Sequence, residues 1–188
     1  MDDLDDLATI YRDPDVRRYV PEGTLSYEET RKELEWIIDV YYGRYGFGLW
    51  ATICKETGSF IGRCGLLPWT ITIGQEGDPA LIATSEHPPG LAGSEVEVAY
   101  LLAKDYWRQG LGTEAAQAIV DYGFEELHLT RLICLFDPAN RASAGVARNI
   151  GMMFERDVEL DGELVPLYSI SSERARELRR SRAWARDD

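Results

Sequence analysis

Two histidines, His87 and His128, are all that this chain of 188 residues carries, so neither a multi-imidazole zinc site nor a metalloprotease helix can be assembled from it. No metal centre is expected. Cysteine is scarce too: Cys54, Cys64 and Cys134 lie far apart, form no CxxC pair and are odd in number. That pattern suits a reducing compartment better than a disulfide-stapled secreted scaffold. No run approaches 18 apolar residues, and the opening MDDLDDLATIY has four aspartates in its first six residues instead of a cationic, apolar signal segment. The expectation is a cytoplasmic chain with no membrane partner. Positive charge is short as well, with 20 Lys and Arg against 33 Asp and Glu for a net charge of −13. Such a balance argues against a general binder of duplex nucleic acid or of anionic membranes.

Apolar residues make up 45% of the chain and charged residues 28%, with five Trp, ten Tyr and five Phe, so a disordered or fibrous chain is excluded. The length fits one domain able to enclose a two-layer core. That domain is expected over residues 1–172, with an extended loop over 68–94 and an Arg-rich tail over 173–188. The tail holds six arginines against four acids, which leaves −15 upstream. It reads as a solvated helix end running into a frayed terminus, with no function assigned.

Hydrophobic spacing organises the rest. Leu4, Leu7, Ile10 and Tyr11 recur at helical intervals until Asp13-Pro14-Asp15 interrupts them. Ser26-Tyr27-Glu28-Glu29 has the form of a capping box before Leu34, Ile37, Ile38 and Tyr41, and Gly43 stops that pattern. From Phe47 the period changes: Leu49 to Cys54 and Phe60 to Leu66 read as strands around Lys55-Glu56-Thr57-Gly58. Glycines and prolines break up residues 68–94, leaving room for a small strand at Thr70 to Ile73. A strand at 95–102, a helix from Thr113 to about Leu127, a strand at 131–136 and a helix at 141–150 follow. A hairpin of 154–160 and 165–171 around Asp161-Gly162 closes the series. The order predicts an α/β (α+β) fold, one mixed sheet with helices against it.

The sharpest chemical signal is a strand, then Trp107-Arg108-Gln109-Gly110-Leu111-Gly112-Thr113, then an amphipathic helix. Glycines let backbone approach a ligand without a Cβ collision, and the first-turn amides of a helix lack intrahelical partners. Helix dipole and Arg108 together favour an anion, so a phosphate-bearing ligand is expected. Gly110 to Ala115 also satisfies the loose GxGxxA dinucleotide fingerprint, with Asp137 at the end of the next strand. Against that reading, Lys104 to Gln109 separate the strand from the first glycine, whereas a dinucleotide turn leaves its strand almost directly into the glycines. A plain turn is the third reading.

Glu97-Val98-Ala99-Tyr100-Leu101-Leu102, Tyr106 through Ala115, Asn140-Arg141-Ala142-Ser143 and Asn149-Ile150-Gly151-Met152 together resemble GNAT acetyltransferases. The nearest likeness is to the branch containing ribosomal-protein-alanine N-acetyltransferases. The resemblance implies a mixed, mostly antiparallel sheet flanked by helices, with the family's fourth and fifth strands splayed. It implies acetyl-CoA as acetyl donor. Arg108, Gln109, Gly110, Leu111, Gly112 and Thr113 would grip the coenzyme A pyrophosphate through backbone N–H groups. The pantetheine arm would run along Leu101, Leu102 and Ala103, and Asn140 and Ser143 would meet the arm and the thioester end. Trp107 stands where many relatives carry Gln or Arg. Relatives also open with an edge strand, whereas this chain opens on a helix, so that strand is missing or lies upstream.

Acetylating an amine needs a base for the ammonium proton and a group that stabilises the departing sulfur. The resemblance assigns the base to Glu97, with Glu95 as its same-face neighbour two residues away. The competing reading is a solvated glutamate on an exposed strand face. Many relatives protonate the thiolate with a Tyr four residues before the glycine matched here by Gly151, and that position is Ala147. Ser143 is the substitute candidate, with a local backbone role as its alternative. Tyr100, Tyr106 and Tyr168 read as packing, and neither histidine has the context of a serine-hydrolase base. The segment from Trp69 to Gly93 is expected to border the acceptor cleft, and Trp36, Trp50 and Trp69 are candidates to line a pocket, with buried packing the favoured reading of the first two.

These observations predict an acetyl-CoA-dependent N-acetyltransferase acting by direct attack of a primary amine, at a peptide N-terminus or on a small molecule. The acidic body suits a cationic acceptor, and the chain is expected as a monomer or homodimer. A non-catalytic acyl-CoA-binding module is the alternative, and a nucleotide-dependent oxidoreductase the more distant one.

Overall fold

Aspartates at 2, 3, 5 and 6 put negative charge at the positive end of a helix whose apolar residues line one side. In the computed structural model of the chain this is α1, Leu4–Tyr11, with Leu4, Leu7, Ile10 and Tyr11 all buried. The structure describes residues 2–72, 80–83, 91, 94–160 and 162–184. Helix α2, Tyr27–Trp36, starts on the expected capping box. Ser26 Oγ accepts from Glu29 N–H at 3.3 Å, and Ser26 N–H donates to Glu29 Oε2 at 2.8 Å. A wider π-helical turn, Ile37–Tyr42, and the short α3, Gly43–Tyr45, carry the chain past Gly43 to Gly46, whose φ of 74° ends it.

Contacts divide the chain into two compact units, residues 1–67 with 98–119 and residues 68–97 with 120–188. In the first unit β1, Leu49–Ile53, runs antiparallel to the early part of β2, Phe60–Thr72, from Leu49↔Gly65 to Ile53↔Phe60. β2 also pairs with β4, Glu95–Leu102. Gly62 makes that pairing possible, because a Cβ there would sit 2.1 Å from the Leu101 carbonyl oxygen. Helix α1 covers these strands through Leu7, Ile10 and Tyr11 against Leu34, Phe60, Leu101 and Ala103. Beneath it lies a charged group: Arg17, 2% exposed, stacks over the Tyr11 ring at 4.5 Å, and Tyr11 donates to Glu33 Oε1 at 3.1 Å. Burial drives the Tyr11 hydroxyl pKa upward.

In the second unit the strand order is β2, β3 (Ala80–Ala83), β6 (Met153–Leu160), β7 (Glu163–Ser171), β5 (Arg131–Leu135), β4. The β3–β6 and β4–β5 neighbours are parallel, and β2–β3, β5–β7 and β6–β7 antiparallel. The sheet is therefore mixed and mostly antiparallel. Among the described residues β4 and β5 share one register pair, Glu97↔Ile133. Ile133, Val158, Val165 and Leu167 form the core of this unit, with Trp69, Leu135 and Leu160 packed on it. Helix α4, Leu111–Glu125, buries Ala116, Val120 and Phe124, and α5 spans Arg141–Asn149.

Several expectations change. β2 continues through a buried Pro68 to Thr72 instead of stopping at Leu66, because it gains β3 as a partner from Thr70↔Ala83 onward. The predicted small strand at Thr70 is thus the end of β2. The remainder of the 68–94 stretch, apart from 80–83, 91 and 94, lies outside the described residues, and His87 with it. No strand precedes α1 among the described residues. The tail is helical as α6, Ser172–Trp184, and is anchored rather than solvated throughout. Ala175 is buried, Leu178 lies against Gly151, and Arg179 pairs with Asp121 and Glu125.

Candidate active site

In the first unit the chain leaves β4 at Leu102 and is tied down at once. Ala103 N–H donates to Ile61 O at 2.8 Å, and a 3-10 turn follows over Lys104–Tyr106. The Trp107 indole N–H reaches back to Leu102 O at 2.8 Å, and the Gln109 amide to Asp105 O at 2.8 Å. Lys104 pairs with Asp15 across from α1, and this holds the Asp15 carboxyl below its ordinary pKa. Between these ties Arg108 takes φ 59° and Gly110 φ 82°, both in the left-handed region. A non-glycine residue is strained in that conformation, so Arg108 marks a backbone shape imposed by its surroundings, while glycine at 110 takes its φ freely. The first bond of α4 is Glu114 N–H to Gly110 O at 3.0 Å. The amides of Leu111, Gly112 and Thr113 precede it, at the end of the helix where an anion is stabilised. Leu101 and Ala103 turn their side chains into the α1 cluster, and Leu102 is 8% exposed. What this stretch offers a ligand is main chain.

In the second unit Glu97 is 8% exposed, not a solvated glutamate. Its Oε2 accepts from the Trp69 indole N–H at 2.7 Å and its Oε1 from Leu135 N–H at 3.3 Å. Glu95, the same-face neighbour, is committed elsewhere: Arg131 Nε bonds both its oxygens at 3.0 Å, and Arg131 Nη2 bonds Glu155 Oε2 at 2.8 Å. Burial pushes the Glu155 pKa up, but the Ser169 hydroxyl and Arg131 outweigh it and leave the carboxyl below its ordinary value. Asn140 is the N-cap of α5, its Oδ1 accepting from Ser143 N–H at 3.0 Å. The side-chain oxygen expected to meet a ligand is therefore engaged in the fold. Ala147 is fully buried on the same helix. Tyr168 packs between Phe136 and Phe154, at 5.2 and 5.8 Å.

The sequence did not identify Trp69 as the partner of Glu97, because nothing local links residues 28 apart. Of the other tryptophans, Trp36 is 42% exposed, against the expectation of burial. Trp50 lines a cavity of about 320 Å³ in the first unit with Leu7, Ile37, Phe60 and Arg63. Among the described residues no cluster of His, Cys, Asp and Glu could hold a metal, and no helix is long and apolar enough to cross a membrane.

Comparison with known proteins bears on what these features serve. A family model described as "Acetyltransferase (GNAT) domain" matches residues 1–153. YkkB of Bacillus subtilis, itself uncharacterized, is 31% identical over 163 residues, 87% of this chain and 83% of its own. The FsC-acetyl coenzyme A-N(2)-transacetylase of Aspergillus fumigatus is 27% identical over 141 residues, 74% of this chain and 54% of its own. A solved structure of aminoglycoside acetyltransferase AAC(6')-Ib in complex with coenzyme A superposes with a TM-score of 0.70 at 14% identity, covering 95% of this chain and 94% of its own. At that identity the likeness speaks for the fold. These matches overturn the oxidoreductase reading and favour an acyltransferase over a non-catalytic module, while the ribosomal-protein branch rests on the motif resemblance alone. By family model and by identity to its relatives, the chain belongs to the GNAT acetyltransferase family.

Proposed function

We propose that this enzyme transfers an acetyl group from acetyl-CoA to a primary amine by direct attack on the thioester. One observation carries the reading: a loop pinned at Trp107 and Gln109, with Arg108 and Gly110 in left-handed conformations, opens the N-terminus of α4. Backbone amides of Leu111, Gly112 and Thr113, with those of Arg108, Gln109 and Gly110, bind the diphosphate. Main-chain atoms of Leu101, Leu102 and Ala103 line the pantetheine arm. Asn140 supports the thioester end by capping α5, and Ser143, on the same helix, carries the hydroxyl that would donate to the departing thiolate, since Ala147 has none.

An amine is protonated near neutral pH and must lose a proton to attack. Glu97 accepts that proton, directly or through a water, and the tetrahedral intermediate then expels the thiolate of coenzyme A. The acceptor is a cationic amine, because a body of net charge −15 outside the tail raises the local concentration of cations. It is a peptide N-terminus or a small polyamine-like molecule. Cys54, Cys64 and Cys134 form no disulfide, in accord with a reducing, cytoplasmic setting.

The test is thiol release from acetyl-CoA across a panel of amines and peptides. Glu97→Gln lowers kcat about 10²-fold or more with little change in acetyl-CoA affinity. Unchanged turnover across the pH range removes Glu97 as base, and absence of thiol release with every amine removes the acetyl-transfer reading.

A further inference from the structure

The Glu97 carboxylate is held at both oxygens by donors from two different strands. Trp69 on β2 bonds Oε2 at 2.7 Å, and Leu135 on β5 bonds Oε1 at 3.3 Å. Trp69 itself is fixed, because its ring packs on the cluster of Ile133, Val158, Val165 and Leu167. Glu97 is in register with Ile133, so carboxylate and indole share one face of the sheet. An indole N–H only donates, whereas a protonated carboxyl must donate from one of its oxygens. The contact therefore favours the ionised carboxylate.

That matters because Glu97 is buried, and burial of an acid favours its neutral form unless donors compensate. The charged side chains on the strands that pair with β4 are Arg63 on β2, which pairs with Glu33, and Arg131 on β5, which pairs with Glu95 on β4 and with Glu155. The indole N–H of Trp69 and the backbone N–H of Leu135 that reach Glu97 are uncharged donors.

We infer that Trp69 is a positioning residue for proton transfer: its indole N–H fixes the orientation of the Glu97 carboxylate and keeps it ionised, ready to accept the proton of the amine. The inference rests on the assignment of Glu97 as base.

Trp69→Phe keeps a ring in the apolar cluster and removes the N–H. Loss of a hydrogen bond to a charged group disfavours the ionised form, so the acid limb of the kcat/KM profile moves to higher pH. Activity on that limb falls about tenfold or more, while KM for acetyl-CoA stays within about twofold. In the Glu97→Gln background the same change has no further effect on kcat, because the two residues act as a unit. A second readout needs no turnover: the indole 15N–1H resonance that Trp69→Phe removes moves in Glu97→Gln and follows a titration in the wild type. An unmoved acid limb in a folded Trp69→Phe protein overturns the inference, as do multiplicative effects of the two substitutions or an indole resonance indifferent to residue 97. If Glu97→Gln is crippled while Trp69→Phe matches wild type, this inference falls and the base assignment stands. If Glu97→Gln is fully active, both fall.

Discussion

Gly110 carries a φ of 82° at the mouth of α4, and a Cβ built on it meets no atom within 4 Å. Replacing it with alanine therefore tests backbone conformation without steric contact. A left-handed conformation costs an L-residue roughly 1–2 kcal/mol. For a chain of this length about 1 kcal/mol corresponds to ~2–4 °C in Tm. If the loop keeps its shape, Gly110→Ala lowers the Tm of the free protein by about 2–8 °C and leaves acetyl-CoA affinity near wild type. If the loop relaxes to a right-handed conformation, Tm is preserved, the amides of residues 108–113 lose alignment, and Kd for acetyl-CoA rises about 5- to 30-fold. Thermal unfolding with and without ligand, together with calorimetric titration, separates the two. Gly145→Ala is the control: it lies within α5, its Cβ also meets nothing within 4 Å, and its φ is ordinary. That change leaves stability unaltered or raises it by up to about 1 kcal/mol. A Gly110→Ala protein with both wild-type Tm and wild-type Kd refutes the reasoning.

Thiol chemistry gives a second check. Burial pushes the Cys64 thiol up to about 12, whereas the Thr57 hydroxyl lowers that of the more accessible Cys54. Native protein should therefore react with a disulfide reagent at Cys54 first, with Cys64 and Cys134 labelling only on unfolding. Loss of Cys54 that leaves fast labelling intact contradicts this. The Glu155 carboxyl lies below its ordinary pKa, so its ion pair with Arg131 stabilises the fold above the unfolded-state value, near pH 4.3, and that stabilisation fades as pH falls through the lower folded value. Glu155→Gln should be less stable than wild type in urea at pH 7, and the gap should narrow at a second, acidic pH below the unfolded-state value. A gap of equal size at both pH values assigns the loss to packing instead of charge.

Much of the fold was legible because it is written in local spacing. The Ser26–Glu29 capping box forms both of its bonds, the apolar stripe of α1 is buried as spaced, and Gly162 adopts φ 83° in the turn expected of Asp161-Gly162. The loop before α4 was readable for the same reason, since its glycines and the following helix are neighbours in sequence. What failed to show depends on distant partners. Pro68 argues against a central strand, yet β2 passes through it because β3 pairs beyond. Arg179 looked like one of several solvated arginines, and its partners Asp121 and Glu125 lie more than 50 residues away. Asn140 was expected at a ligand and serves first as a helix cap, a role that its position before Arg141 already allowed. The hold of Trp69 on Glu97 joins two strands that no periodicity connects.

The central claim is that main-chain nitrogens at the start of α4 grip the phosphates of the acetyl donor. Calorimetric titration with acetyl-CoA, S-acetyl-4′-phosphopantetheine and S-acetylpantetheine tests it most directly, since the series removes phosphate while keeping the thioester and the arm. Two charge-assisted bonds at about 1.5 kcal/mol each predict that the phosphate-free donor binds at least ~10²-fold more weakly than acetyl-CoA, with the monophosphate in between. Equal affinity for all three would contradict the account.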